Sequence, residues 1–187
     1  MSPDTLKRCK GKTSPRWPDN TPAPYALDNG AWGCFKRDQP FDVQAFLWAF
    51  ERVGADADWV VAPDIVGRGR ESLELTRAWL PKLQHRLTLI AVQDGMTPAD
   101  IDELMTDGRG VFVGGSTDWK LSSLPMWGDY CRSAGRYLHV ARVNTIKRFT
   151  SCRHFGAHSI DGSSASRFAV TADLLPSTLK QTTLFGA

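Results

Sequence analysis

The sequence holds no run of about 18 apolar residues, the length a helix needs to cross a membrane, so no membrane partner is expected. Its opening, Met1 to Lys12, is polar and basic and lacks the apolar centre of about 7–15 residues that a secretory signal requires, which makes the expected location cytoplasmic. The four cysteines, Cys9, Cys34, Cys131 and Cys152, form no Cys-x-x-Cys pair, so neither a compact zinc site nor a disulfide framework is signalled. The four histidines, His85, His139, His154 and His158, form no His-x-His or His-Glu-x-x-His arrangement, which disfavours a zinc hydrolase. Internal repeats and low-complexity tracts are also missing. The chemistry is therefore expected to run without a metal or other cofactor.

What is present fits one enzyme-sized unit. The chain has 187 residues, 42% of them hydrophobic, enough to bury a core. Residues 1–24, with Pro15, Pro18, Pro22 and Pro24, read as an irregular lead-in, and 25–187 as a single catalytic domain. The net charge is only +3, yet it is unevenly spread. Arg132, Arg136, Arg142, Lys147, Arg148, Arg153 and Arg167 share their stretch with one acid, Asp161. That stretch is either a phosphate-facing surface or a set of solvated helix faces.

Hydrophobic period assigns the elements. Tyr25 to Asp28 reads as a short strand, and Val43, Phe46, Leu47, Phe50 and Val53 as one stripe of a helix over 41–53. Trp59 to Ala62 is a strand, and a helix follows from Glu71 to Gln84. Leu87 to Val92 is a continuous apolar run, as in a strand buried on both faces. Thr97-Pro98-Ala99-Asp100 opens a helix carrying Ile101, Leu104 and Met105, with Thr97 as its cap. Val111 to Val113 is a strand, then comes a helix with Leu124, Trp127 and Cys131. Tyr137 to Val143 is a strand, Ile146, Phe149 and Phe155 mark a helix, and a last strand reaches Ile160 and Asp161. This alternation is that of a parallel sheet with helical crossovers. The expected fold class is α/β: a TIM-barrel-like (β/α)8 domain in reduced or incomplete form, because about 200–250 residues are usual for the whole barrel. An open doubly wound parallel sheet is the alternative.

In either fold the site lies where the strands end. The residues there are Asp28, Asp64, Gln93 with Asp94, Gly114-Gly115, Arg142 with Asn144, and Asp161. Three carboxylates at one mouth suit either a divalent cation or acid/base and nucleophilic work at a sugar carbon. Asp161 is followed by Ser163, Ser164, Ser166 and Arg167, a stretch that reads as a phosphate cradle or as a flexible loop.

The order of these motifs, from Ala26-Leu27-Asp28-Asn29-Gly30-Ala31-Trp32 to Asp161-Gly162-Ser163-Ser164-Ala165-Ser166-Arg167, resembles the tRNA-guanine transglycosylase superfamily, in particular its branch that inserts 7-deazaguanines into DNA. The resemblance implies that Asp161 is a nucleophile forming a covalent glycosyl-aspartate and that Asp28 is the proton-transferring carboxylate beside the base. It implies that Asp64, Gln93, Gly114 and Gly115 bind a guanine or 7-deazaguanine base. The candidate phosphate contacts come from the basic stretch: Arg142 and Arg167 flank the site in sequence, and Lys147 and Arg148 fall off the Ile146/Phe149 stripe and should face solvent. The tRNA enzymes carry a zinc-binding cysteine cluster after the nucleophile; no cysteine follows Asp161 here, which turns the expectation from tRNA toward DNA or a free nucleotide. A shortened barrel also leaves room for a second copy or a partner subunit to supply strands.

Base exchange in DNA is thus the leading expectation. A hydrolytic N-glycosylase, in which water resolves the intermediate, and a noncatalytic nucleic-acid or nucleotide-binding module are the alternatives. If the basic stretch is a DNA track, replacing Lys147 and Arg148 together by alanine weakens DNA binding equally across sequences. Every phosphate that is no longer neutralised lowers the slope of log K against log[salt] by about 0.7–0.9, measured by fluorescence anisotropy over a salt series; an unchanged affinity and slope would remove this surface from DNA binding.

Overall fold

A computed structural model describes residues 1–9 and 19–162. Five strands, β1 (Val60–Val61), β2 (Thr88–Val92), β3 (Arg109–Val113), β4 (Tyr137–Val140) and β5 (Ser159–Ile160), form one all-parallel sheet in the order β1-β2-β3-β4-β5. Leu27 adds a parallel bridge at the outer edge of β1, where its N–H donates to Trp59 O at 3.0 Å and its carbonyl accepts from Val61 N–H at 2.9 Å. The sheet curls into half of a barrel. The α/β class therefore holds, and the sheet is open. The half-barrel agrees with the expected incomplete barrel, and its openness with the alternative of an open parallel sheet; among the described residues strand order follows the chain, without the reversal that defines a doubly wound sheet.

Six α-helices accompany the sheet among the described residues: α1 (Pro3–Arg8), α2 (Ala31–Lys36), α3 (Val43–Val53), α4 (Ser72–Trp79), α5 (Thr117–Ser133) and α6 (Ile146–His154). Alternation along the strands divides the apolar residues between two faces. Val60, Ile90, Val92, Val111, Val113, Leu138 and Val140 join the main core with Phe46, Ala49, Leu124, Trp127 and Phe149 from the helices. Trp59, Val61, Leu89 and Ala91 form the second cluster, against which Phe112 and Tyr137 pack on the concave side. Every residue of β2 is buried, as its unbroken apolar run requires.

Local chemistry explains where the elements depart from the periodic pattern. The lead-in is not irregular throughout, because Ser2 caps α1 by accepting from Thr5 N–H at 3.3 Å, Pro3 sits in its first turn, and Leu6 is fully buried in the main core. Proline at that position starts a helix, since its missing N–H is one that would go unbonded anyway. Thr97 does cap the segment as expected, in a capping box with Asp100, but the segment continues as two 3-10 turns, Pro98–Asp100 and Asp102–Leu104. Buried Ile101 separates them with φ −121°, so no α-helix propagates.

One close approach fixes α5 against α6. At Gly128 on α5 an added Cβ would lie 2.3 Å from the Phe155 carbonyl oxygen. Helix propensity alone makes Gly128→Ala stabilising by about 1 kcal/mol, whereas overpacking against backbone costs about 1–3 kcal/mol. The close approach wins, so Gly128→Ala lowers the urea midpoint; a variant at least as stable as the parent would mean that α5 and α6 separate freely.

Candidate active site

Because all strands run the same way, their C-terminal ends open on one side of the sheet. Asp28 follows Leu27, Asp64 follows β1, Gln93 follows β2, Gly114 and Gly115 follow β3, Arg142 follows β4 and Asp161 follows β5. All of them line one pocket, together with Trp32, Val61, Ala91, Phe112 and Ala141.

Asp64 is the most buried of the three carboxylates, 6% exposed, and both of its oxygens are held. Asn29 Nδ2 donates to Oδ1 at 2.7 Å, and Gln93 Nε2 donates to Oδ2 at 2.8 Å. Burial outweighs these donors and raises the Asp64 pKa to about 6. Asn29 is itself fixed, since Nδ2 also reaches Ala62 O at 2.7 Å and Oδ1 accepts from Ala31 N–H at 2.9 Å. Gln93 gives its second amide hydrogen to Ile65 O at 3.0 Å, and its Oε1 accepts from Gly67 N–H at 2.7 Å. Both Gln93 amide hydrogens thus have protein acceptors.

The other two carboxylates sit in different surroundings. Asp28 Oδ1 accepts from Gly30 N–H at 2.7 Å, a turn that Gly30 allows by taking φ +87°, and burial raises the Asp28 pKa. Asp161 is solvent-exposed at the rim. Its Oδ1 accepts from the backbone N–H of Arg142, and its carbonyl accepts from Val143 N–H at 2.6 Å. Arg142 holds a left-handed conformation, φ +55°, rare for a side chain with a Cβ. From there its guanidinium donates to Gly115 O and lies 4.4 Å over the Trp32 ring.

The basic stretch does not form one face. Arg132 pairs with Asp129 at 2.9 Å, and Arg136 pairs with Asp107 at 3.4 Å while donating to the carbonyls of Met105 and Thr106 at 2.9 Å. Lys147 is exposed and Arg148 half-buried; they line a separate groove with Leu121, Thr145, Ser151 and Phe155, away from the residues of the pocket. The structure therefore brings Arg142 to the site and leaves Lys147 and Arg148 beside it. Ser163, Ser164, Ser166 and Arg167 lie outside the described residues. Among the described residues no group of three or more His, Cys, Asp or Glu is arranged to hold a metal ion, and no helix is long and apolar enough to cross a membrane.

Sequence reasoning missed Asn29, Trp32 and Phe112. Asn29 is legible only as a turn residue between Asp28 and Gly30, and its burial against Asp64 joins two strand ends in a way that spacing does not encode. Trp32 stacks on Phe35 with centroids 5.5 Å apart. In comparisons with known proteins, no family model and no curated protein matches this chain.

Stability should register the buried carboxyl. A folded pKa above the unfolded 3.8 means that the Asp64 contribution is fully present below 3.8 and is lost as pH rises through about 6. Linkage makes this loss on the order of 3 kcal/mol. In Asp64→Asn, urea unfolding between about pH 4 and about pH 7 should lose that share of the slope, although the variant is less stable at every pH because an amide cannot accept from both Asn29 and Gln93. A profile parallel to the parent's would show that Asp64 titrates normally.

Proposed function

We propose that this protein exchanges a guanine base for a 7-deazaguanine derivative in DNA, through a covalent glycosyl-Asp161 intermediate. The observation that carries the reading is the convergence of three carboxylates in three environments on one pocket. Asp28 has a raised pKa and suits a proton carrier. Asp64 is buried and aimed by two amides, as needed to accept the N1–H and exocyclic amino hydrogens of guanine. Asp161 is exposed at the rim, where the sugar of a bound nucleotide would lie.

The steps follow from these roles. Asp161 attacks C1′ as the C1′–N bond breaks, and Asp28 delivers a proton to the departing base. An incoming base returns a proton to Asp28, its nitrogen bonds to C1′, and the Asp161 carboxylate is released. One N-glycoside replaces another, so no oxidant, reductant or energy source is needed. The flat base would lie against Val61, Ala91 and Phe112, with Gly114 and Gly115 offering backbone without a side chain. Trp32 lines this mouth and exposed Phe35 stacks on it, an aromatic platform suited to a neighbouring nucleobase, which favours a polynucleotide over a free nucleotide. The exposure of Asp161 also favours a second reading, hydrolytic base removal, since water can reach the ester.

Mass spectrometry of nucleosides after incubation of DNA, or of tRNA, with the protein and candidate 7-deazaguanines tests this. Exchange yields the modified deoxynucleoside, and hydrolysis yields abasic sites. Asp161→Asn should fold normally and lose turnover by about three orders of magnitude or more, because an amide forms no glycosyl ester. Near-wild-type turnover in that variant would remove Asp161 from the mechanism.

A further inference from the structure

Lys120 is buried, 3% exposed, in the first turns of α5. Its ammonium donates to the carbonyl oxygen of Ala141. An ammonium placed in a protein interior costs several kcal/mol unless its surroundings compensate, and a fully solvated alternative is open to most lysines. The peptide it binds is the one that touches the nucleophile. The C=O of the Ala141–Arg142 peptide takes the Lys120 ammonium, and the N–H of the same peptide donates to Asp161 Oδ1. The chain of hydrogen bonds runs from Nζ through O=C–N–H to the carboxylate.

An amide whose oxygen accepts from a cation is polarised, and its N–H becomes a stronger donor. The same interaction steadies a peptide that needs support, because Arg142 follows it in a left-handed conformation. Ala141 N–H is meanwhile tied to Val113 O at 3.0 Å. With Oδ1 held, the carboxylate is oriented by that peptide.

We propose that Lys120 is a positioning residue for Asp161, acting through the Ala141–Arg142 peptide to orient the carboxylate and to strengthen the hydrogen bond that holds it. As far as it concerns catalysis, this rests on the reading of Asp161 as nucleophile. The groups facing the Lys120 ammonium are Arg142 and Asp161 at the strand ends, Cys152 and Arg148 on α6, and His139 on β4. Burial, then Arg142, lowers the Lys120 pKa to about 8. Burial lowers that of His139 to about 3 and raises that of Cys152 to about 11, so neither thiol nor imidazole titrates with it. The Met1 amino group, near Asp28 and Asp161, is held below its ordinary value by burial; it is unchanged in Lys120 variants.

The test has one arm without turnover and one with it. In the full-length protein, the Arg142 backbone amide should move in 1H–15N spectra with a midpoint of about 8, and Lys120→Met should abolish that movement. In single turnover with a guanine-containing single-stranded oligodeoxynucleotide, formation of glycosyl-Asp161, read by intact-protein mass spectrometry, should slow as pH rises through about 8. Lys120→Met should be slower by about 10–100-fold and should lose this alkaline limb. Lys120→Arg, which keeps a charge at all these pH values, should restore rate without the limb. An Arg142 amide that does not titrate in the parent, or a Lys120→Met variant with the parental rate and pH profile, overturns the proposal. If Lys120→Met fails to fold, the parental amide titration decides alone. If the amide titrates but no glycosyl-enzyme forms, the positioning interaction stands and the base-exchange reading falls.

Discussion

A carboxylate cannot be buried without donors, and the site is built around that requirement at Asp64. Its two oxygens take one amide hydrogen from Asn29, beyond Leu27, and one from Gln93, beyond β2, so three successive strand ends are locked to a common point. The parallel ladder sets the coarse alignment, with Ala91 opposite Phe112 and Phe112 opposite His139, and the polar triad fixes the rim. A slip of one residue in either neighbour would turn its amide to the other face of the sheet and leave the charge uncompensated. The buried carboxylate thereby makes the geometry of the pocket a condition of folding as well as of chemistry.

Asp161 is organised on the opposite principle. It is exposed, needs no burial to be held, and receives its fixed hydrogen bond from a strained backbone position at Arg142. The same residue sends its guanidinium across the pocket to Gly115 O and the Trp32 face, linking the ends of β3 and β4 to α2. The site therefore has a buried side around Asp64, held by side-chain amides, and an exposed side at Asp161, held by backbone hydrogen bonds.

Much of this is legible in the residues alone. The unbroken run at Leu87 to Val92 identifies a strand buried on both faces, the stripe over 41–53 identifies α3, and the rule that parallel strands discharge on one side gathers Asp28, Asp64, Gln93, Gly114, Gly115, Arg142 and Asp161. The misses have physical reasons. α1 starts with the residue type that counts against a helix elsewhere, and α2 starts at left-handed Gly30 with no side-chain cap to signal it. The turns after Thr97 carry a true helix-start pattern that Ile101 interrupts. Closure of the sheet depends on strand count and curl, neither of which periodicity encodes, and the split of the basic stretch among ion pairs depends on partners such as Asp107 and Asp129. Lys120 sits between Trp119 and Leu121, and nothing in that spacing announces that its ammonium is buried.

The turn at Ala134 to Arg136 joins α5 to the start of β4, at the end of the sheet away from the pocket. Gly135 there has nothing within 4 Å of where a Cβ would be, and its φ of +62° marks a tight reversal. For anyone wishing to tether this protein to a sensor surface or a bead, that corner is a natural handle: a linker grafted into it would leave the pocket mouth pointing into solution.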